Sequence, residues 1–387
     1  LAGASAVEGI RERDPNAPIL LVGAEPDLPY NRPPLSKGLW LGKEKVEEIF
    51  VHDRPFYAAH HADLTLGAEV VQIDPGNRIV TDKRGNQYHY RNLLLATGGH
   101  PRRLAIPGGD LPGILYYRAI SDYRHARSEA MRGKSAVVIG AGFIGSEMAA
   151  ALSSNGIEVT MVFPGSYLAE RVFPKDLAKA ITERYQAKGV TVVAHDSPTA
   201  IQKTDGRFRT QTRSGKTIES DLLIVGIGIE PATTLAQMAG LKIDNGIVVD
   251  DRLRTSERHI YAAGDNARFP YEGLNELMRV EHWDNALNGG KWAGRNMAGA
   301  EEPYAYMPFF FSDLFEFGYE AVGDVRSNLG TFEDWQKPYD TGVVYYLQEG
   351  RVRGAMMCGL FGKVDEAREL IRSGRRVTAE DLRGAIR

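Results

Sequence analysis

Short apolar runs that stop at glycine alternate with helix-like stretches along much of the chain. Residues 137–140 (Val-Val-Ile-Gly) read as a buried strand, residues 142–155, rich in Ala, Glu, Met and Leu, as a helix, and residues 158–163 (Glu-Val-Thr-Met-Val-Phe) as a second strand. Together they predict a complete strand–helix–strand unit. The same grammar opens the chain, with a helix over 4–13, a turn at 14–16 (Asp-Pro-Asn) and a strand over 19–22. A crossover helix packs between two parallel strands, so the reading expects an apolar strand and its glycines upstream of Leu1. Residues 93–99, 221–231 and 259–265 are further strands ending in glycine turns, and the polar, Arg- and Ser-rich stretch 117–134 predicts a linker. From about Pro303 the texture changes to aromatic, alternating strands. A hairpin over 342–347 and 352–357 turns at Glu349-Gly350, and a helix near 366–372 closes a third domain.

Composition narrows this picture. A chain of 387 residues implies two or three domains, and 43% apolar residues, 25% charged residues and 42 glycines describe a globular protein with many tight turns. Forty-seven basic against fifty acidic residues leave a net charge of -3, so no global field selects nucleic acid or an anionic membrane. The longest apolar run, 222–229, falls far short of the roughly 20 residues a membrane helix needs. The opening Leu-Ala-Gly-Ala-Ser-Ala lacks the basic stretch and apolar core of a secretory signal, so a reducing cytoplasm is expected. Cys358 is the only cysteine, which rules out an intramolecular disulfide, a Cys-x-x-Cys pair and an all-cysteine metal site. Redox work by this chain needs a borrowed cofactor.

The strongest chemical signal is Gly140-Ala-Gly142-Phe143-Ile144-Gly145, between a strand and a helix. There glycines allow a tight turn, close approach to a pyrophosphate and close helix packing, and the helix N-terminus faces the anion. The acid expected about 20 positions on, for the adenosine ribose, is replaced by Phe163 with no arginine beside it, so NADH and NADPH both stay open. In the first unit Gly3 stands where the third fingerprint glycine belongs. Glu25, just past the strand, is either a ribose ligand or a solvated turn acid.

Seven segments extend these signals: Arg32-Pro-Pro-Leu-Ser-Lys37 (with 28–31 before it), Ala96-Thr97-Gly98-Gly99, the Gly140 fingerprint with Ser146-Glu147, Gly228-Ile-Glu-Pro231, Ala263-Gly264-Asp265, Val280-Glu281-His282-Trp283 and Phe310-Phe311-Ser-Asp313. In this order the chain resembles the pyridine-nucleotide flavoprotein reductases, in the branch of oxygenase-type ferredoxin reductases and apoptosis-inducing factor. The resemblance implies a glutathione-reductase-like α/β fold with two Rossmann-type domains and an α+β C-terminal domain. FAD would be held by 1–120 and 244–304, NAD(P) by 121–243, and 305–387 would form the C-terminal domain.

The resemblance also implies roles for single residues. Asp265 would bind the FAD ribityl chain, with Gly264 admitting the pyrophosphate; the bland alternative for Asp265 is a helix N-cap. Arg32 would reach the FAD phosphate region, and Gly3, Glu25, Ala96, Thr97, Gly98 and Gly228 would be cofactor contacts. Lys37 and Glu147 resemble an ion pair on the nicotinamide side of the flavin, where a cation favours the reduced, electron-rich ring. Glu281, His282 and Trp283 resemble residues at the flavin pyrimidine edge, although His282 could equally be a core histidine. Phe143 and Phe311 would wall the rings or simply fill the core; Phe311 stands where the branch often has tryptophan. The implied chemistry is hydride transfer from NADH or NADPH to FAD, then delivery to an external acceptor, a 2Fe-2S ferredoxin first, from a chain that is compatible with a homodimer. The rival is a redox-sensing protein that is reduced slowly and changes its contacts.

Overall fold

The computed structural model describes residues 1–130 and 135–387. It divides into two compact units, one of Leu1–Asn31, Glu47–His100 and Glu230–Pro308, the other of Arg32–Val46, Pro101–Ile229 and Phe309–Arg387.

In the first unit the Ala2–Arg11 helix lies against the Trp283–Met297 helix. Small residues make this approach possible. A Cβ at Gly9 would lie 1.9 Å from the Lys291 carbonyl oxygen, and one at Gly294 would lie 2.2 Å from that of Ala6. The strand Ile19–Gly23 pairs in parallel with Ala62–Leu66, and Leu93–Leu95 pairs in parallel with Ile260–Ala262. Val7, Tyr57 and Ala62 form a core beside the first of these pairs, with Ile19, Leu21 and Leu64 packed against it.

The second unit contains a five-stranded parallel sheet in the order Thr191–Val193, Glu158–Val162, Ser135–Ile139, Leu222–Val225, Ile114–Tyr116. Its central strands are apolar on both faces, as a parallel sheet covered on both sides requires. A five-stranded antiparallel sheet follows, Phe309–Leu314, Phe317–Gly323, Arg351–Cys358, Thr341–Gln348 and Gly330–Lys337 in spatial order, with the Val364–Arg372 helix against it.

The α/β architecture, the fingerprint unit and the C-terminal hairpin and helix agree with the sequence reading. The stretch 117–134 does not. Residues Ile120–Ala130 form a helix, whose first turn is fixed by the Asp122 carboxylate accepting from the backbone N–H groups of Arg118 and Ala119. Only Ile120 and Ala126 of this helix are buried, too few to leave an apolar period in the sequence. Residues 131–134 of the expected linker lie outside the described residues. The run 221–231 is likewise two strands, Leu222–Val225 and Ile229–Pro231, broken at the intervening glycines. No helix among the described residues is long and apolar enough to cross a membrane.

Candidate active site

In the second unit the chain leaves the Ser135–Ile139 strand through Gly140 and enters the Phe143–Ser154 helix. Each fingerprint glycine has its own physical reason. Gly140 has φ +105°, and a Cβ there would meet the Gly226 carbonyl oxygen at 2.3 Å. A Cβ at Gly145 would lie 2.2 Å from the Gly140 carbonyl oxygen, so helix and turn touch through backbone. At Gly142, the helix N-cap, a Cβ would meet nothing within 4 Å. The turn is therefore packed from behind and open in front, a cradle into which a pyrophosphate fits. Phe143 and Ile144 at the helix start are exposed, and the Phe143 ring lies 5.3 Å from that of Phe310. Gly228, at φ +99°, approaches the Arg102 side chain.

One turn into this helix Glu147 is 4% exposed and accepts three hydrogen bonds. Lys37 Nζ donates to Oε1 at 2.6 Å, Ser312 Oγ to the same oxygen at 2.6 Å, and Ser36 Oγ to Oε2 at 2.5 Å. A buried carboxylate requires such partners, because burial without them costs several kcal/mol, roughly the penalty of an unpaired ion. Lys37 Nζ also lies 5.5 Å from the centre of the Phe311 ring. Burial, and then the Glu147 charge, hold the hydroxyls of Tyr185 and Tyr319 well above the usual tyrosine range. Arg32, in the same unit, donates from its guanidinium to the Arg118 carbonyl at 2.8 Å.

The first unit gathers a second set. Gly3 faces Leu21 and Ala96 at ordinary contact distance, so a side chain would fit there better than at Gly145. Glu25 accepts from the Tyr30 hydroxyl at 2.5 Å, which makes it more than a solvated turn acid. Thr97, between Ala96 and Gly98, donates to the Ala232 carbonyl, and buried Asn266 donates to Leu95 O and Thr97 Oγ1, each at 2.9 Å. The other Asn266 amide atom, Oδ1, is buried with no partner among the described residues. Gly264 has φ +85° and packs against Ala2 and Ala286. Asp265 is followed by the strand Ala267–Tyr271, so the N-cap alternative falls. Arg279 donates to the Asp265 carbonyl at 3.0 Å and pairs with Glu281 at 2.8 Å. His282 precedes the Trp283–Met297 helix; burial pushes its pKa down to about 4, against a smaller upward pull from Asp265. The imidazole is neutral near pH 7. Trp283 donates its indole N–H to Asn31 at 2.7 Å.

Ser36, Ser312, Asn266 and Arg279 were not among the predicted site residues. Two of them sit inside the quoted boxes, but hydroxyls and amides leave no pattern when their partners lie far along the chain.

A family model for pyridine nucleotide-disulphide oxidoreductases matches residues 1–290, and one for the C-terminal part of mitochondrion-associated apoptosis-inducing factor matches 293–339. The chain is 34% identical to mitochondrial apoptosis-inducing factor 1 of Dictyostelium discoideum, covering 97% of this chain and 77% of that protein. It is 33% identical to the ferredoxin–NAD(+) reductase component of the anthranilate 1,2-dioxygenase system of Burkholderia cepacia, covering 95% and 91%. Among solved structures, a ferredoxin reductase from Rhodopseudomonas palustris superposes with a TM-score of 0.91 at 28% identity, over 98% of this chain and 94% of that one.

Proposed function

The chain belongs to the pyridine nucleotide-disulphide oxidoreductase family, and on that premise we propose that it is an FAD-dependent NAD(P)H oxidoreductase delivering electrons to a 2Fe-2S ferredoxin. The observation that carries this reading is the ion pair between Lys37 and the buried Glu147, which sits on the helix that the nucleotide fingerprint opens. FAD, when bound, would supply the redox chemistry that no side chain here can, two-electron exchange with a nicotinamide and one-electron exchange with an iron–sulfur acceptor. The chain supplies position and charge. Gly140, Gly142 and Gly145 admit the nicotinamide nucleotide's pyrophosphate to a helix N-terminus. Phe143 and Ile144 offer it an apolar wall. Lys37 brings a fixed positive charge, and Glu147, itself held by Ser36 and Ser312, keeps the ammonium in one place.

In this reading FAD is held by Gly3, Glu25, Arg32, Ala96, Thr97, Gly98, Gly264 and Asp265, with Glu281, His282, Trp283 and Phe311 about its ring. Residues 1–120 and 244–304 form its domain, 121–243 the nucleotide domain and 305–387 the C-terminal domain. The orphaned Asn266 Oδ1 and the positive-φ Gly264 suit a polar ligand held close to backbone. The proposed setting is the cytoplasm, and the proposed assembly a homodimer. A second reading, a slowly reduced redox sensor, draws support from the apoptosis-inducing-factor match at 293–339.

Anaerobic stopped-flow absorbance of the FAD-loaded protein separates the two. Fast bleaching by NADH or NADPH, followed by fast recovery on adding a 2Fe-2S ferredoxin, is the expected result. Slow bleaching and a persistent long-wavelength band that ferredoxin barely touches would favour the sensor.

A further inference from the structure

The nucleotide unit has no acid where the fingerprint calls for one. Phe163, the first residue beyond the Glu158–Val162 strand, is 2% exposed and turned into the core, so it cannot meet a ribose hydroxyl. Two residues later the chain passes through Gly165, and the space beside that glycine is taken. A Cβ built there would lie 2.0 Å from Glu170 Oε1 and 2.6 Å from its Cδ. The Glu170 carboxylate thus sits where a side chain at Gly165 would begin.

Its geometry is fixed on one side only. Oε2 accepts from the backbone N–H groups of Ser166 at 2.8 Å and Tyr167 at 3.2 Å. Among the described residues no donor reaches Oε1, and Glu170 is only partly buried. The surrounding backbone is also pinned. Ser327 donates its hydroxyl to the Glu170 carbonyl at 2.6 Å and its N–H to that of Arg171 at 2.9 Å. The preceding residue, Ala169, donates its N–H to the carbonyl of Ala141 at 2.8 Å. Ala141 lies between Gly140 and Gly142, so the segment carrying Glu170 is tied directly to the pyrophosphate turn.

We propose that Glu170 is the specificity-determining acid of this site: its Oε1 accepts the 2′-hydroxyl of the adenosine ribose and its charge repels a 2′-phosphate, so the enzyme selects NADH over NADPH. The inference rests on the nucleotide site proposed above. The acid has moved seven positions along the sequence, from Phe163 to Glu170, while the fold returns its carboxylate to the end of the same strand. A hydrogen bond from the ribose to a carboxylate fixed by two backbone N–H groups is charge-assisted and pre-oriented. The extra negative charge of the 2′-phosphate would meet that carboxylate with no compensating gain.

Isothermal titration calorimetry on the FAD-loaded full chain tests this, with NAD+ and NADP+ as the probes. The wild-type protein is expected to bind NAD+ at least about tenfold more tightly, the scale of one charged hydrogen bond. Glu170→Gln should reduce that preference by on the order of tenfold, weakening NAD+ and sparing or improving NADP+. Glu170→Ala combined with Gly165→Asp, which puts an acid into the vacated space from Gly165 itself, should restore it. A wild-type protein without preference, or a Gln variant in which both nucleotides weaken equally, overturns the inference and leaves Glu170 as an anchor for residues 165–167. Failure of the wild-type protein to bind either nucleotide is a different outcome, because it removes the nucleotide site itself. Flavin absorbance and circular dichroism of each variant separate loss of fold from loss of recognition.

Discussion

Glu147 shows how a single side chain is held in a charged site. Its three donors come from two segments far from it in sequence, the neighbours Ser36 and Lys37 on one side and Ser312 on the other, and two of the three are neutral hydroxyls. Removing the partners should therefore have unequal effects. Lys37→Met leaves a carboxylate that is 4% exposed with hydroxyl donors only, whereas Glu147→Gln leaves a lysine that is 14% exposed and can turn its ammonium toward water. The expected losses in unfolding free energy are about 3 kcal/mol for Lys37→Met and about 2 kcal/mol for Glu147→Gln. The double variant should lose less than the sum by at least about 1 kcal/mol. A denaturant double-mutant cycle on the FAD-loaded protein measures all three, and additive losses would show that the pair is not coupled. The ion pair was legible in the sequence through the boxes that carry Lys37 and Glu147. The serines were not, because a hydroxyl's partner is set by folding and neither periodicity nor charge pattern marks it.

Elements were legible where burial leaves an apolar run bounded by turn residues. The strand, glycine turn and helix around Gly140 show it, and so does the C-terminal hairpin, whose strands Thr341–Gln348 and Arg351–Cys358 are mostly buried. The Ile120–Ala130 helix was missed because it buries two side chains, and its start depends on Asp122 accepting from backbone rather than on an apolar stripe. Glycine is ambiguous in sequence for the same reason, since a close approach and an open cradle are written with one letter. Two substitutions separate these uses. At Gly294 alanine gains about 1 kcal/mol of helix propensity, but its Cβ would stand 2.2 Å from the Ala6 carbonyl oxygen. Backbone cannot swing aside as a side chain can, so the two helices must part and overpacking dominates, for a net loss of about 2 kcal/mol. At Gly142 a Cβ meets no protein atom within 4 Å, so alanine should cost about 0.5 kcal/mol as a poorer cap, yet it would project into the open space that the proposed function assigns to a pyrophosphate. Calorimetric unfolding and NAD+ titration of the two variants should thus give opposite patterns. Gly294→Ala would lower the melting temperature and leave NAD+ affinity near wild type, whereas Gly142→Ala would keep the melting temperature and bind NAD+ at least tenfold more weakly. Matching losses in both variants would mean that Gly142 is only structural.

At the scale of the whole molecule, each compact unit is assembled from three separated segments, and the grouping of residues 32–46 with 101–229 and 309–387 rests on contacts that no local period reports. What the whole sequence does report is an inventory, and the thiol count has the widest consequence. The family is named for disulphide chemistry, which needs a pair of thiols, one of them ionisable at working pH. This chain has Cys358 alone. The thiol is fully buried at the end of a central strand, opposite Tyr319 and Gly342, and burial pushes its pKa far up. It can neither attack a disulfide nor form one within the chain, so electrons taken from a nicotinamide must leave by another route. Iodoacetamide should therefore leave the native, FAD-loaded protein unlabelled over hours, and NADH-dependent bleaching of its flavin should proceed at the untreated rate. After unfolding in guanidinium the same thiol should react at once, which shows that burial and not chemistry protected it. Labelling of the native protein, with loss of nicotinamide-driven reduction, would place a thiol on the electron path and contradict the single-cofactor route.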